Sequence, residues 1–101
     1  MNHYRRDGTP EPDVRQWAKE FKEANRRVAL NKFSTPDGRK VEVSTVFLGL
    51  NHQFGDGPPL IFETMVFGGD LDGEQERYST EAEAIEGHKA MIVRVQQTLS
   101  D

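Results

Sequence analysis

Residues 43–67 read VSTVFLGLNHQFGDGPPLIFETMVF, and the rest of the predicted architecture is arranged around them. The stretch contains two apolar runs, residues 43–50 and 60–67, joined by a loop rich in glycine and proline. Val, Phe, Leu, Ile and Thr dominate both runs, and these residue types favour a pleated, half-buried surface. The pattern therefore predicts two central strands of an antiparallel sheet.

Alternation along the two predicted strands places apolar side chains on both faces of the sheet. Val43, Thr45 and Phe47 share one face of the first strand, while Ser44, Val46 and Leu48 share the other. We expect helices to cover one face, and a loop, the N-terminal segment or a second subunit to cover the other. If one face stays bare, a symmetric homodimer is the simplest way to cover it.

The flanking sequence predicts a sheet of three or four strands between two helices. A turn at residues 35–38, TPDG, joins a strand near residues 27–33 to the strand that follows, and residues 75–78 predict a short edge strand. The first helix is expected to follow Thr9 as its N-cap, and Thr80 and Glu83 form a capping box before the second. The stripe of the second helix comprises Ile85, His88, Ile92, Val95 and Leu99. The predicted fold class is α+β: an antiparallel meander flanked by an N-terminal and a C-terminal helix.

Length and composition indicate one domain with a modest core. The chain has 101 residues, 35% hydrophobic and 30% charged. We expect residues 1–10 to form a flexible tail and residues 11–101 a single domain. The N-terminus carries basic residues without an apolar segment behind them, so the prediction is a cytoplasmic protein with no membrane contact. The absence of cysteine excludes disulfides, zinc–thiolate sites and a cysteine nucleophile.

The net charge of -4 is unevenly distributed. Residues 1–50 contain ten basic and seven acidic residues, whereas residues 51–101 contain three and ten. The acidic half argues against nucleic acid as a partner, because nucleic-acid binding requires a clustered basic face. Steep salt-dependent binding to DNA would be the sign that this exclusion is wrong.

Glu63 and His88 are the ionisable residues that the pattern places among apolar neighbours. Glu63 is either a general base or metal ligand with a perturbed pKa, or a partner of a nearby arginine such as Arg27 or Arg77. His88 lies on the apolar stripe of the last helix, where a histidine at the edge of the core is the commoner case. A site of two histidines and one carboxylate would join both residues to His52. No local ligand spacing supports it, so neither a metal nor a cofactor is predicted.

The loop of residues 51–59 is longer than a tight hairpin requires, and such loops often carry function in small scaffolds. Asn51, His52 and Asp56 are its candidate ligand-binding residues, although the loop lacks the lysine and the helix of a phosphate loop. Phe54 is difficult to bury at a loop tip beside glycine and proline, so it is a candidate anchor for a partner. Gly87, inside the last helix, indicates a close approach by another backbone.

Three elements occur in order along the chain: STVFLGL at residues 44–50, GPPLIFETMVF at 57–67 and RYSTEAEA-x-x-GH at 77–88. Together, over about residues 26–95, they resemble a family of small uncharacterised proteins of tailed bacteriophages and prophages. The resemblance implies expression in the cytoplasm of a bacterial host, and it assigns no catalytic residue. Small phage proteins of this kind often act by binding, so the resemblance implies a binding function.

Two function classes follow. The first is a non-catalytic phage or prophage protein that binds and modulates a host or anti-phage defence component, for example as an inhibitor of CRISPR or other immunity. Its surface would use the 51–59 loop and the exposed sheet face. The second is an enzyme or a protein that binds a small ligand, nucleotide or metal in a pocket near His52, Glu63 and His88. The second class requires those side chains to converge, and it fails in this form if Glu63 and His88 point to opposite faces of the sheet.

Overall fold

The predicted α+β meander is confirmed in the computed structural model, which describes residues 2–23 and 25–99. Its elements are α1 (Val14–Glu23), β1 (Arg27–Ser34), β2 (Lys40–Phe47), β3 (Phe62–Phe67), β4 (Gln75–Tyr78) and α2 (Glu81–Leu99). The strands form one antiparallel sheet in the order β1-β2-β3-β4. Residues 100 and 101, the end of the predicted domain, lie outside the described residues.

The core lies between α2 and one face of the sheet. Alternation along β2 and β3 buries every second side chain, as predicted, and leaves the residues between them half-buried or exposed. One buried cluster contains Val41, Val43, Val66, Met91 and Val95, and the other contains Phe47, Ile61, Phe62 and Ala84. Because α2 packs across all four strands, this face is covered by a single helix.

Helix α2 begins at the predicted capping box, and four residues of its predicted stripe face the core: His88 and Val95 are buried, and Ile92 and Leu99 pack against the buried cluster. The Glu83 N–H donates to Thr80 Oγ1, and the Thr80 N–H donates to Glu83 Oε1, both at 3.1 Å. The prediction that Ile85 lies on the buried stripe was wrong, because Ile85 is exposed and the stripe contains Ala84, His88, Met91 and Val95. These residues also recur at spacings of four, three and four, so both stripes fit a helix, and the small Ala84 side chain occupies the contact with Phe47 and Phe62.

Helix α1 packs over the end of the sheet through aromatic side chains. The Trp17 and Phe21 rings are stacked with centroids 4.9 Å apart, and Phe21 lies 6.0 Å from the Phe47 ring. The prediction of Thr9 as the N-cap was wrong, since Asp13 Oδ1 accepts hydrogen bonds from the N–H groups of Arg15 and Gln16. A carboxylate at this position satisfies helix N–H groups that have no intrahelical partner.

Residues 2–11 run beside the segment that follows β2. The Tyr4 N–H donates to the Gly49 carbonyl, and the Asn51 N–H donates to the Asn2 carbonyl, both at 2.9 Å. Gly49 has a φ of 75°, and a Cβ there would lie 2.6 Å from the Phe21 ring, so β2 ends before the predicted position. The flexibility predicted for residues 1–10 concerns motion and stays a prediction, and Met1 lies outside the described residues.

Gly87 has a close neighbour, but that neighbour is a side chain. A Cβ at Gly87 would lie 2.2 Å from the Tyr78 ring, so the aromatic ring rests directly on the α2 backbone. The expectation of a second backbone at this position was therefore wrong. Within the described part of the chain, no helix is long and apolar enough to cross a membrane.

Candidate functional site

A chain of hydrogen-bonded side chains crosses the core beneath α2. Thr64 Oγ1 lies 2.5 Å from Thr45 Oγ1, which lies 2.7 Å from Nδ1 of His88. The other ring nitrogen, Nε2, lies 2.8 Å from Oδ1 of Asn31. The two threonines are fully buried and His88 is 4% exposed, whereas Asn31 is exposed on β1. The chain therefore connects the centre of the sheet to its β1 edge.

The direction of these hydrogen bonds follows from the acceptor at the surface end of the chain, the Asn31 side-chain oxygen. Because Asn31 Oδ1 can only accept, His88 carries its proton on Nε2 and leaves Nδ1 as an acceptor. The Thr45 hydroxyl then donates to Nδ1, and the Thr64 hydroxyl donates to Thr45 Oγ1. Burial lowers the pKa of His88 below its ordinary value, because the charged ring would lose its hydration. The network thus holds a neutral histidine.

The order hydroxyl, imidazole, amide is that of a nucleophile, a base and an orienting group. Here, however, the hydroxyl of Thr45 is completely enclosed, so no substrate carbonyl can reach it. A general base must come within hydrogen-bond reach of a proton on the substrate. The geometry therefore supports a structural role: the network satisfies polar groups that would be costly to bury alone.

Glu63 lies on the face of the sheet opposite to His88. Its Oε2 accepts a hydrogen bond of 2.9 Å from Nε of Arg77, and the two side chains are only partly exposed. The interpretation of Glu63 as the partner of an arginine is confirmed, with Arg77 rather than Arg27. The next residue, Thr64, points to the helix-covered face, so strand alternation places the two ionisable groups on different sides.

The structure does not bring together the residues of the predicted pocket. His52 lies in the loop, where its N–H donates to the Leu60 carbonyl at 2.9 Å. Glu63 and His88 are separated by the sheet, which is the condition under which the pocket hypothesis fails in this form. Among residues 2–23 and 25–99, no group of three histidine, aspartate or glutamate side chains is placed to hold a metal ion.

The 51–59 loop is closed by the side chain of its first residue. Asn51 Oδ1 accepts hydrogen bonds from the N–H groups of Gln53 and Leu60, at 2.8 and 3.0 Å. The Gln53 side chain donates to the Pro58 carbonyl at 3.2 Å. Phe54 is 91% exposed at the tip, as its position indicated, and Asp56 is exposed beside it. The role of Phe54 as an anchor for a partner stays a prediction.

No described helix packs on the second face of the sheet, which we term the open face. Register and alternation assign to it the apolar residues Leu30, Val46, Met65 and Phe67 and the charged residues Arg27, Lys32, Lys40, Glu42, Glu63 and Arg77. Leu30, Val46 and Met65 are half-buried by their neighbours, and Phe67 is 49% exposed. An exposed apolar patch with a polar border is typical of an interaction site.

A groove continues the open face towards α1. Its volume is about 920 Å³, and it is lined by Arg26, Arg27, Leu30, Val46 and Leu48, among others. The guanidinium of Arg26 stacks over the Phe21 ring at 4.6 Å, which holds this cation at the rim of the groove. The groove therefore combines apolar side chains from both faces of the sheet with two cations.

Sequence reasoning placed Thr45 on one face of its strand without assigning it a role, and it missed Asn31 and Leu30. Alternation already placed Thr45 and Thr64 on one face, so their contact could have been inferred from the predicted pairing. Asn31 lies opposite Val43 in the register that runs unbroken from the 35–38 turn, so the predicted hairpin could have placed it on the His88 face; the register shift lies farther along, between Arg27 and Ala29. Comparison of the chain with protein-family models, with curated proteins and with solved structures found no match.

Proposed function

We propose that this chain is a small non-catalytic protein of a tailed bacteriophage or prophage that binds and modulates a host or anti-phage defence protein in the bacterial cytoplasm. An inhibitor of CRISPR or another immune system is one example of such a protein. The observation that carries the proposal is the open face, where Leu30, Val46, Met65 and Phe67 have no described helix packed over them. The resemblance over residues 26–95 supports a phage origin.

Binding rather than catalysis is supported by where the polar groups are placed. The buried histidine has both ring nitrogens bonded within the core, and Glu63 is paired with Arg77. These residues thus have structural partners, whereas the large apolar side chains Phe54 and Phe67 contact solvent. Aromatic side chains of this kind are common anchors of protein interfaces.

Two side chains of similar exposure allow a matched test of the open face. Phe67 on β3 is 49% exposed, and Val93 on the outer side of α2 is 52% exposed. The wild-type chain, Phe67→Gln and Val93→Gln would be used for affinity capture from bacterial cells, with and without infection by a tailed phage. Quantitative mass spectrometry would compare the retained proteins, and thermal melts would establish that both variants are folded.

The proposal predicts a bacterial protein that the wild type and Val93→Gln retain and that Phe67→Gln loses. Equal retention by the two variants would contradict it. Phe54→Gln tests the loop separately: partial loss of the same protein is expected if the 51–59 loop borders the interface.

A further inference from the structure

The open face has a charge opposite in sign to that of the whole chain. The chain has a net charge of -4, but the open face has four cations and two carboxylates. Both carboxylates are paired, Glu42 with Lys32 at 3.8 Å and Glu63 with Arg77 at 2.9 Å. The acidic side chains of α2 lie on the other side of the molecule. The surface that lacks a covering element is thus locally cationic.

Two cations of the open face have no carboxylate partner within the described residues. Arg27 lies opposite Val46, and Lys40 lies six residues earlier on β2, so the two positions are about 20 Å apart along the strand. Arg26, stacked on Phe21, adds a further cation at the groove end, and it likewise has no carboxylate partner among the described side chains. Leu30 and Val46 lie between Arg27 and Lys40. The arrangement is an apolar centre with unpaired positive charge at both ends.

We propose that the occupant of the open face is an acidic protein segment that carries apolar side chains. The apolar residues of this segment pack on Leu30, Val46 and Met65, and its carboxylates contact Arg26 and Arg27 at one end and Lys40 at the other. The proposal rests on the proposed function, because it names the chemistry of the partner that the open face binds. Complementary charge of this kind contributes specificity and a fast association rate.

A second copy of this chain fits the surface less well. A face-to-face homodimer would place the unpaired Arg27 and Lys40 of one subunit near those of the other, and both glutamates are already bonded. Like charges across an interface are unfavourable. The expectation of a dimer through this face therefore becomes an alternative outcome of the test.

Nucleic acid also fits less well than an acidic protein. Single-stranded nucleic acid is bound by aromatic side chains on which successive bases stack. Phe67 is the single aromatic side chain that the described strands place on the open face, and the other apolar members are aliphatic. Glu42 and Glu63 would also face the phosphates. The mixed aliphatic and cationic surface matches carboxylates carried on a protein.

Selection from a library of short random peptides tests the proposal without knowledge of the natural partner. The full-length wild-type chain would be the target, and the double variant Arg27→Glu with Lys40→Glu would be the counter-target. Enriched peptides are expected to combine Asp or Glu with aliphatic or aromatic residues. Their affinity should fall about tenfold in the double variant and decrease as salt is added.

Several results would overturn the proposal. Enrichment of basic or uncharged peptides, or of no peptide above the counter-target, would show that the surface does not select acidic segments. Binding of single-stranded oligothymidine that the double variant abolishes would assign the surface to nucleic acid. A dimer in sedimentation velocity that dissociates on Met65→Glu substitution would assign it to a second copy. The proposed function has its own test: it fails if affinity capture from bacterial cells retains the same proteins on Phe67→Gln and Val93→Gln.

Discussion

Glu63 and His88 lie on opposite faces of one four-stranded sheet. Thr64, next to Glu63 in β3, hydrogen-bonds to Thr45 and through it to His88, whereas the Glu63 carboxylate is bonded to Arg77 on the open face. The sheet therefore separates two sets of polar residues that have different roles. One set stabilises the core, and the other forms part of the surface proposed to bind a partner.

The direction of the buried hydrogen bonds predicts unequal effects of two isosteric substitutions. Thr45→Val leaves both His88 Nδ1 and the Thr64 hydroxyl without a partner, while Thr64→Val removes one donor to Thr45. Each unsatisfied buried group costs about 1–3 kcal/mol. We expect Thr45→Val to lower the free energy of unfolding by about 2–4 kcal/mol and Thr64→Val by about 1 kcal/mol, measured by urea denaturation. Equal losses would contradict the assigned direction.

Stability should decrease on mild acidification because of His88. In the folded protein, burial lowers the pKa of His88 below its ordinary value of 6.5. Below pH 6.5 the unfolded chain therefore binds more protons than the folded one. The contribution of neutral His88 to stability is fully present above the pKa of the unfolded state, and it is lost as the pH falls through the pKa of the folded state. Denaturation at about pH 7 and about pH 5 should show lower stability at the acidic value. The difference should shrink in His88→Gln, and an unchanged difference would exclude His88 as the cause.

Contact between Gly87 and Tyr78 predicts that a helix-favouring substitution is destabilising. Alanine is favoured over glycine in a helix by about 1 kcal/mol, but the Cβ of Gly87→Ala would overlap the Tyr78 ring. We expect a loss of about 1–3 kcal/mol. Ala90, exposed on the same helix, supplies the control, since Ala90→Gly should lose only about 1 kcal/mol. A gain in stability for Gly87→Ala would show that the ring moves freely.

The hydroxyl of Tyr78 offers a substitution that should increase stability. It is buried and makes no hydrogen bond of ordinary geometry among the described residues; burial raises the pKa of this phenol, and the nearby Thr64 hydroxyl offsets that rise only in part. Tyr78→Phe removes the unsatisfied group and keeps the ring on Gly87. We expect the free energy of unfolding to rise by about 1 kcal/mol. A clear decrease in the melting temperature would indicate that the hydroxyl is bonded in solution.

The sequence allowed the sheet and its faces to be predicted because alternation is a local property. The runs of residues 43–50 and 60–67 identified β2 and β3, and the Thr80–Glu83 capping box located the start of α2. The residue that α2 buries in its first turn was not determined, because Ala84 and Ile85 both belong to stripes of helical spacing. Tertiary packing of α2 on Phe47 and Phe62 decides between them.

The candidate surface depended on information that is not local. Whether the face of Val46 and Met65 is covered depends on where α1 packs, and α1 packs at the end of the sheet through Phe21. The side chain of β1 that reaches His88 depends on where α2 crosses the sheet, although the register that places Asn31 opposite Val43 follows from the 35–38 turn. The pairing of Glu63 could be foreseen as an ion pair, but the choice of Arg77 required the β3–β4 register.

Site-specific photo-crosslinking in bacterial cells tests the central claim most directly. The photoreactive residue benzoylphenylalanine would replace Phe67 on the open face or, as a control of similar exposure, Val93 on the outer side of α2. The account predicts a discrete covalent adduct of higher mass at position 67, absent at position 93, whose protein partner mass spectrometry identifies. Equal adducts at both positions, or none at position 67, would contradict the assignment of the open face as the binding surface.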